Sequence, residues 1–207
     1  QWRALWRANV EIVRHPVFRT WSALSAASYL GLFTLLASSS FVFIRQLGHS
    51  KTSYGLLMCS MSFSYFVGTF WCRWMLRRTS MHRTVGVAGL VTLTGGVLLT
   101  LLAYGGADQP WYGTWAVMGP IYLFAFGHGV HQPCGQSAAV APFPLKAGTA
   151  SALNGFLMML GAFFMGGWLG RHMDVPLFAL AHGMLLWSAV IATVAWTAVQ
   201  RHGRPVL

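Results

Sequence analysis

Long stretches free of Asp, Glu, Lys and Arg alternate with short basic clusters along this 207-residue chain. The uncharged stretches predict six apolar helices, at about 20–44, 52–72, 84–107, 111–140, 147–170 and 175–200. Each is long enough to cross a bilayer, whose hydrocarbon core takes roughly 20 apolar residues as an α-helix. The fourth uncharged stretch runs on to Leu145, and Pro142 and Pro144 divide it into one helix and an exit loop. Residues 1–19 form a polar-basic segment before the first span. In it Trp2, Trp6, Val10, Ile12, Val13 and Val17 are spaced as on an amphipathic helix lying in the membrane interface. Residues 201–207 form a short tail. The pattern predicts an all-α, polytopic membrane domain.

Composition removes the soluble alternative. Charged residues make up 8% of the chain and hydrophobic residues 56%, against about 25% charged in a soluble protein. A formal net charge of +11, from 14 Lys+Arg and 3 Asp+Glu, would otherwise suit a nucleic-acid binder. So few charges cannot cover a soluble surface, and nucleic acid is not expected as a partner.

The positions of the positive charges orient the spans. Eleven lie on one side: Arg3, Arg7, Arg14, Arg19, Arg73, Arg77, Arg78, Arg83, Lys146, Arg201 and Arg204. Three lie on the other: Arg45, Lys51 and Arg171. The richer side, which carries both ends of the chain, is expected to be cytoplasmic. Trp21, Trp71, Trp74 and Trp196 are expected as aromatic anchors at the inner ends, and Tyr54, Tyr104, Trp111 and Trp168 at the outer ends. The chain has no initiator Met and no signal-peptide core. Beginning in a basic loop, it is expected to be part of a longer protein. Cys59, Cys72 and Cys134 are scattered and suggest neither a disulfide framework nor a zinc site.

Within the spans, no acid or fixed cation is present to couple ions or protons. The remaining polarity falls on stripes: Ser22, Ser25, Tyr29, Phe33 and Ser40 on the first span, and Ser53, Ser60 and Ser64 on the second. His128, His131, Gln132 and Gly135 share a face of the fourth span, with Gln136 at its edge. Ser151, Asn154, Met158, Gly161 and Met165 share a face of the fifth. The third and sixth spans lack such a stripe. Two readings follow: the striped helices border a cavity while the third and sixth face lipid, or the small polar residues join helix to helix. His128 and His131, spaced i,i+3 and followed by the helix-kinking Pro133, are a hydrogen-bonding or protonatable pair at a cavity wall, or a satisfied packing pair. No further ligand is spaced for a metal. Gly166 and Gly170 form a GxxxG beside Gly161, suited to close helix approach.

The second and fifth spans each place a Gly five residues before an Arg (Gly68 and Arg73, Gly166 and Arg171), a faint trace of two inverted three-helix repeats. Two longer stretches carry a family likeness. They are A-P-F-P-L-K-A-G-T-A-S-A-L-N-G-F, at 141–156, and the preceding F-G-H-G-V-H-Q-P-C-G-Q-S-A-A-V. With S-S-S-F-V-F-I ending the first span and Tyr54-Gly55-Leu56-Leu57 opening the second, they resemble helices seven to twelve of a major facilitator superfamily transporter. Within that superfamily the resemblance is to the Bcr/CflA-type drug–proton antiporters. Gly68 to Arg78 resembles the superfamily's Gly-x-x-x-Asp-Arg loop signature, with Cys72 in the place of the acid and Ser40-Phe41 where the branch often has Ser-Pro-Phe.

The resemblance implies half of a proton-coupled exporter of drug-like molecules in a bacterial inner membrane, with the missing N-terminal six-helix half as its partner. The coupling acids would lie in that half. The expected substrate cavity comprises Ser25, Tyr29, Phe33, His128, His131, Gln132, Gln136, Asn154 and Met158. Gly68, Arg73, Arg77 and Arg78 would form a gating loop, and Pro133, Gly148, Gly161, Gly166 and Gly170 flexing or packing points. No enzyme, cofactor or metal is expected. Two rival readings stay open: a complete six-helix permease or channel working as a homodimer, and a redox subunit holding haem or quinone on His128, His131 and His182.

Overall fold

A computed structural model describes residues 2–106 and 113–203 of the chain. The ends of the third span and the start of the fourth at 107–112, with the expected anchor Trp111, and Arg204 in the tail, lie outside the described residues. An amphipathic helix, α1 (Trp2–Arg14), leads into α2 (Pro16–Ser40), whose Pro16 occupies the first helical turn, where a missing N–H costs nothing. A π-helical turn at Phe41–Gln46 ends α2. Then come α3 (Lys51–Leu76), capped by Ser50 Oγ accepting from the Ser53 amide at 3.1 Å, and α4 (Met81–Gly105). The remaining long helices are α5 (Thr114–Val140), α6 (Ala147–Arg171) and α7 (Pro176–Trp196), followed by the short α8 (Ala198–His202). A 3₁₀ turn at Pro144–Lys146 links α5 to α6.

Among the described residues, five helical stretches are long and apolar enough to cross a membrane: Pro16–Gln46, Lys51–Leu76, Met81–Gly105, Pro144–Arg171 and Pro176–His202. Helix α5 is long enough but more polar, with two histidines, two glutamines and two internal prolines. Its place explains why the composition is tolerated, because α2, α3 and α4 enclose it and take up its polar groups.

The principal packing pairs are α2 with α5, α6 and α7, α5 with α3 and α4, and α4 with α7. Exchanging α2 for α5, α3 for α6 and α4 for α7 returns the same set. The chain is thus two three-helix units related by a pseudo-two-fold, with α2, α5, α4 and α7 in a central ring, α3 added on α5 and α6 added on α2. Gly68 and Gly166 do not match in kind, since Gly68 lies directly under the backbone of Phe126 while Gly166 is only in ordinary contact with the ring of Phe33. The third and sixth spans, expected to face lipid, are exposed on their outer faces only. Val87, Leu90 and Leu101 of α4 are exposed, while Leu99, Ile191 and Met184 are buried between α4, α7 and their neighbours. The two least buried spans are α3 and α6.

Polar stripes become joints in this arrangement. Ser60 and Ser64 of α3 bond the hydroxyl and the carbonyl of Tyr122 on α5, both at 2.8 Å. Pro133 cannot bond the carbonyl of Gly129, and Thr69 of α3 donates to it at 3.3 Å. Gly129 itself has no room for a side chain against the Tyr65 carbonyl. At the end of the bundle that carries α1 and α8, Trp21 is wholly buried and donates to the Gly203 carbonyl at 3.2 Å, so it is a core side chain rather than an interfacial anchor. Trp74 and Trp196, by contrast, are 48% and 45% exposed, as anchors would be. Helix α1 is held by Ile12, which is fully buried, and by an exposed ion pair of Glu11 with Lys146 at 2.6 Å.

Helices α3 and α5 also bring Cys72 Sγ to 3.5 Å from Cys134 Sγ in the interior. Oxidation with copper–phenanthroline is expected to join these two thiols and leave Cys59 free. Peptide mapping after alkylation reads the result; a Cys72 and Cys134 that both remain alkylatable after oxidation would contradict this helix register.

Candidate functional site

The expected cavity residues lie on α2, α5 and α6, and the structure separates them into three groups. His128 is almost fully buried at the meeting of α2, α3 and α5, where Ser28 Oγ lies 2.8 Å from its Nδ1 and the Tyr65 ring 5.6 Å from its own. It forms part of the floor of an open, mainly apolar groove of about 390 Å³, whose walls include Leu32 and Leu36 of α2 and Met58, Met61 and Tyr65 of α3. A groove with apolar walls and few polar groups is the usual form of a small-molecule site. Methionine thioethers at Met58 and Met61 fit varied shapes, because the side chain is unbranched and polarizable.

The second group meets where α2, α5 and α6 converge. Ser25 Oγ donates to Asn154 Oδ1 at 3.1 Å, Gln132 Nε2 to Met158 Sδ at 3.7 Å, and Gly135 packs directly on Ser25. Ser25, Asn154 and Met158 are buried there, whereas Gln132 is half-buried and its Oε1 has no partner among the described residues. Tyr29 and Phe33 are half-buried. Phe33 also lines a second open groove of about 820 Å³ on α6, with Met159, Phe163 and Trp168. Gln136 is exposed, in a shallow groove shared with Pro133 and Gly148.

His131 stands apart. It is wholly buried against α4, with its Nε2 3.2 Å from Thr92 Oγ1, and its Nδ1 has no partner among the described residues. The expected common wall of His128 and His131 is therefore not formed. A helix enclosed on several sides can turn two residues of one face toward different neighbours, here α2 and α4. His182 is exposed on α7 and bonds the Tyr104 hydroxyl at 2.7 Å, so the three histidines of the redox reading do not converge. Among the described residues no three His, Cys, Asp or Glu side chains gather as metal ligands.

Gly68 is not a loop residue. It is buried well inside α3, and a side chain there would strike the Phe126 carbonyl. Arg73, Arg77 and Arg78 follow it at the exposed end of α3, with the Arg78 guanidinium 4.4 Å over the Trp74 ring. Gly161 packs on Leu30, but Gly148 and Gly170 face open space, so the GxxxG pair does not bring two helices of this chain together. Leu32, Leu36, Met58, Met61 and Tyr65 went unrecognised in the sequence. The 58, 61, 65 spacing, one face of a helix, is the signal that marks the α3 wall.

A Major Facilitator Superfamily family model matches residues 1–166. The chain belongs to this superfamily. As a major facilitator chain it is a multi-pass membrane protein of a transporter family. It is also similar to "Multidrug resistance protein D" of Escherichia coli (strain K12), 44% identical over 55 residues. That match covers 25% of this chain and 14% of the relative's length. No solved structure matches the chain.

Proposed function

We propose that this chain is the C-terminal six-helix half of a proton-coupled exporter of small amphipathic drugs. It sits in a bacterial inner membrane with both ends of the segment on the cytoplasmic side. The observation that carries the reading is the groove between α2, α3 and α5, mainly apolar on its walls with Ser62, Tyr65 and His128 as its polar points. It lies on the side of the ring away from α4 and α7, open between α2 and α3. A second six-helix half covers that face, and rocking of the halves opens the groove to either side in turn. The likeness to a multidrug resistance protein of Escherichia coli supports drugs as cargo. Since no Asp, Glu, Lys or Arg lies deep in any helix, the proton is carried by an acid of the other half.

The test uses cells stripped of their own drug exporters. The full-length protein is expected to lower the accumulation of a lipophilic fluorescent dye, and a protonophore to abolish the difference. The chain expressed without a second half is expected to do nothing. Extrusion by this chain alone would replace the reading with a homodimeric permease, and extrusion indifferent to the protonophore would remove proton coupling.

A further inference from the structure

At the inner end of the bundle, the end of α3, the start of α4 and α8 enclose a polar groove of about 740 Å³. Arg77, Arg78 and Arg83 line it, with His82, Ser80 and Gln200. Excess positive charge on one side of a membrane protein explains how many arginines are present, but not why three share one depression. These three have no carboxylate to neutralise them among the described residues. Glu11 is bound to Lys146, and Asp174 lies before α7, a helix of 21 residues and so about 30 Å from the groove. The groove also receives the start of α4, whose Ser80 hydroxyl makes no capping bond. Gln200 closes one side by donating to the His82 carbonyl at 3.1 Å.

The surroundings fix where this groove lies. Trp74 and Trp196 flank it, both about half exposed, with the Trp196 indole donating to the Gly86 carbonyl at 2.9 Å and Arg78 stacked over Trp74. Exposed tryptophans of this kind sit at headgroup depth. Directly beyond the groove, Val87, Leu90, Val97 and Leu101 run along α4 as an uncovered aliphatic strip.

We propose that this groove is a binding site for an anionic phospholipid, its phosphate held by Arg77, Arg78 and Arg83 and an acyl chain lying along the strip on α4. Basic pockets between spans are suited to such headgroups, because counter-charge and membrane depth coincide there. A free phosphate would satisfy the arginines but would have no use for the strip. The site depends on the membrane reading alone and is independent of drug export.

Native mass spectrometry of the full-length protein in mixed micelles tests it. Phosphatidylglycerol is expected to stay bound in preference to phosphatidylcholine. Each Arg→Gln change at 77, 78 or 83 is expected to weaken retention about fivefold, and the triple change on the order of a hundredfold. If the triple variant does not fold, the single R83Q carries the comparison. Arg45→Gln, at the opposite end, is expected to leave retention unchanged. Equal retention of the two lipids, or retention indifferent to the arginines, would overturn the site and leave the arginines to topology. Displacement of the lipid by millimolar inorganic phosphate would also overturn it, assigning the groove to a free anion.

Discussion

Replacing Gly68 with alanine is expected to destabilise the protein by about 1–3 kcal/mol, and replacing Gly68 and Gly129 together to abolish recovery of folded material. Both glycines lie where α3 crosses α5, and each faces a backbone carbonyl of the other helix, Phe126 for Gly68 and Tyr65 for Gly129. A carbonyl in a helix cannot swing aside as a side chain can, so a methyl group is accommodated only if the helices separate. Separation would also break the Thr69 bond to the Gly129 carbonyl, which Pro133 has left without its helical partner. Against this stands the better helix propensity of alanine, about 1 kcal/mol, which is too small to compensate. Gly55, on the same helix with open space around it, isolates that propensity effect, and Gly55→Ala is expected to be neutral or slightly stabilising. Thermal midpoints in detergent, read by fluorescence-detected size exclusion, check the contrast. Equal midpoints for Gly68→Ala and Gly55→Ala would show that α3 and α5 are not this close.

This contrast shows where sequence reading stops. The all-α membrane class was legible because a single physical constraint, the cost of charge in hydrocarbon, writes itself along the chain as uninterrupted apolar runs. A helical face was legible too, since residue spacing fixes direction around an axis. The neighbour on that face was not. Ser60 and Ser64 were read as a polar stripe, but that they bond Tyr122 depends on the register of two helices about 60 residues apart in sequence. Gly68 falls in a loop signature, although its position within an apolar run places it inside the helix. Cys72 and Cys134 were scattered in sequence and adjacent in space for the same reason. The groove around His128 is half legible: the i,i+3 histidines before Pro133 mark His128, while the Met58, Met61 and Tyr65 wall carries no polar stripe to mark it.

Changing the two histidines of α5 to alanine is expected to give opposite phenotypes. His131→Ala removes an imidazole that is fully enclosed between α5 and α4, and the loss is expected to cost on the order of 2–4 kcal/mol in stability. Transport per folded molecule should change little, because His131 lines neither the groove at His128 nor the one on α6. Thr92 keeps its bond to the Ala88 carbonyl at 2.9 Å, so the loss is mainly one of packing. Refilling the space with His131→Phe together with Thr92→Val is expected to recover most of the stability, since removing both polar partners leaves none unsatisfied. His128→Ala instead deepens the groove and takes away the ring beside Tyr65 and the partner of Ser28. Its stability is expected to fall less, while apparent affinity for an aromatic dye shifts about tenfold, the scale of one hydrogen bond or ring contact. Efflux normalised to the amount of folded protein separates the two. If His131→Ala alters normalised efflux as strongly as His128→Ala, the two residues act on one site after all, and the division of α5 into a groove side and a packing side is wrong.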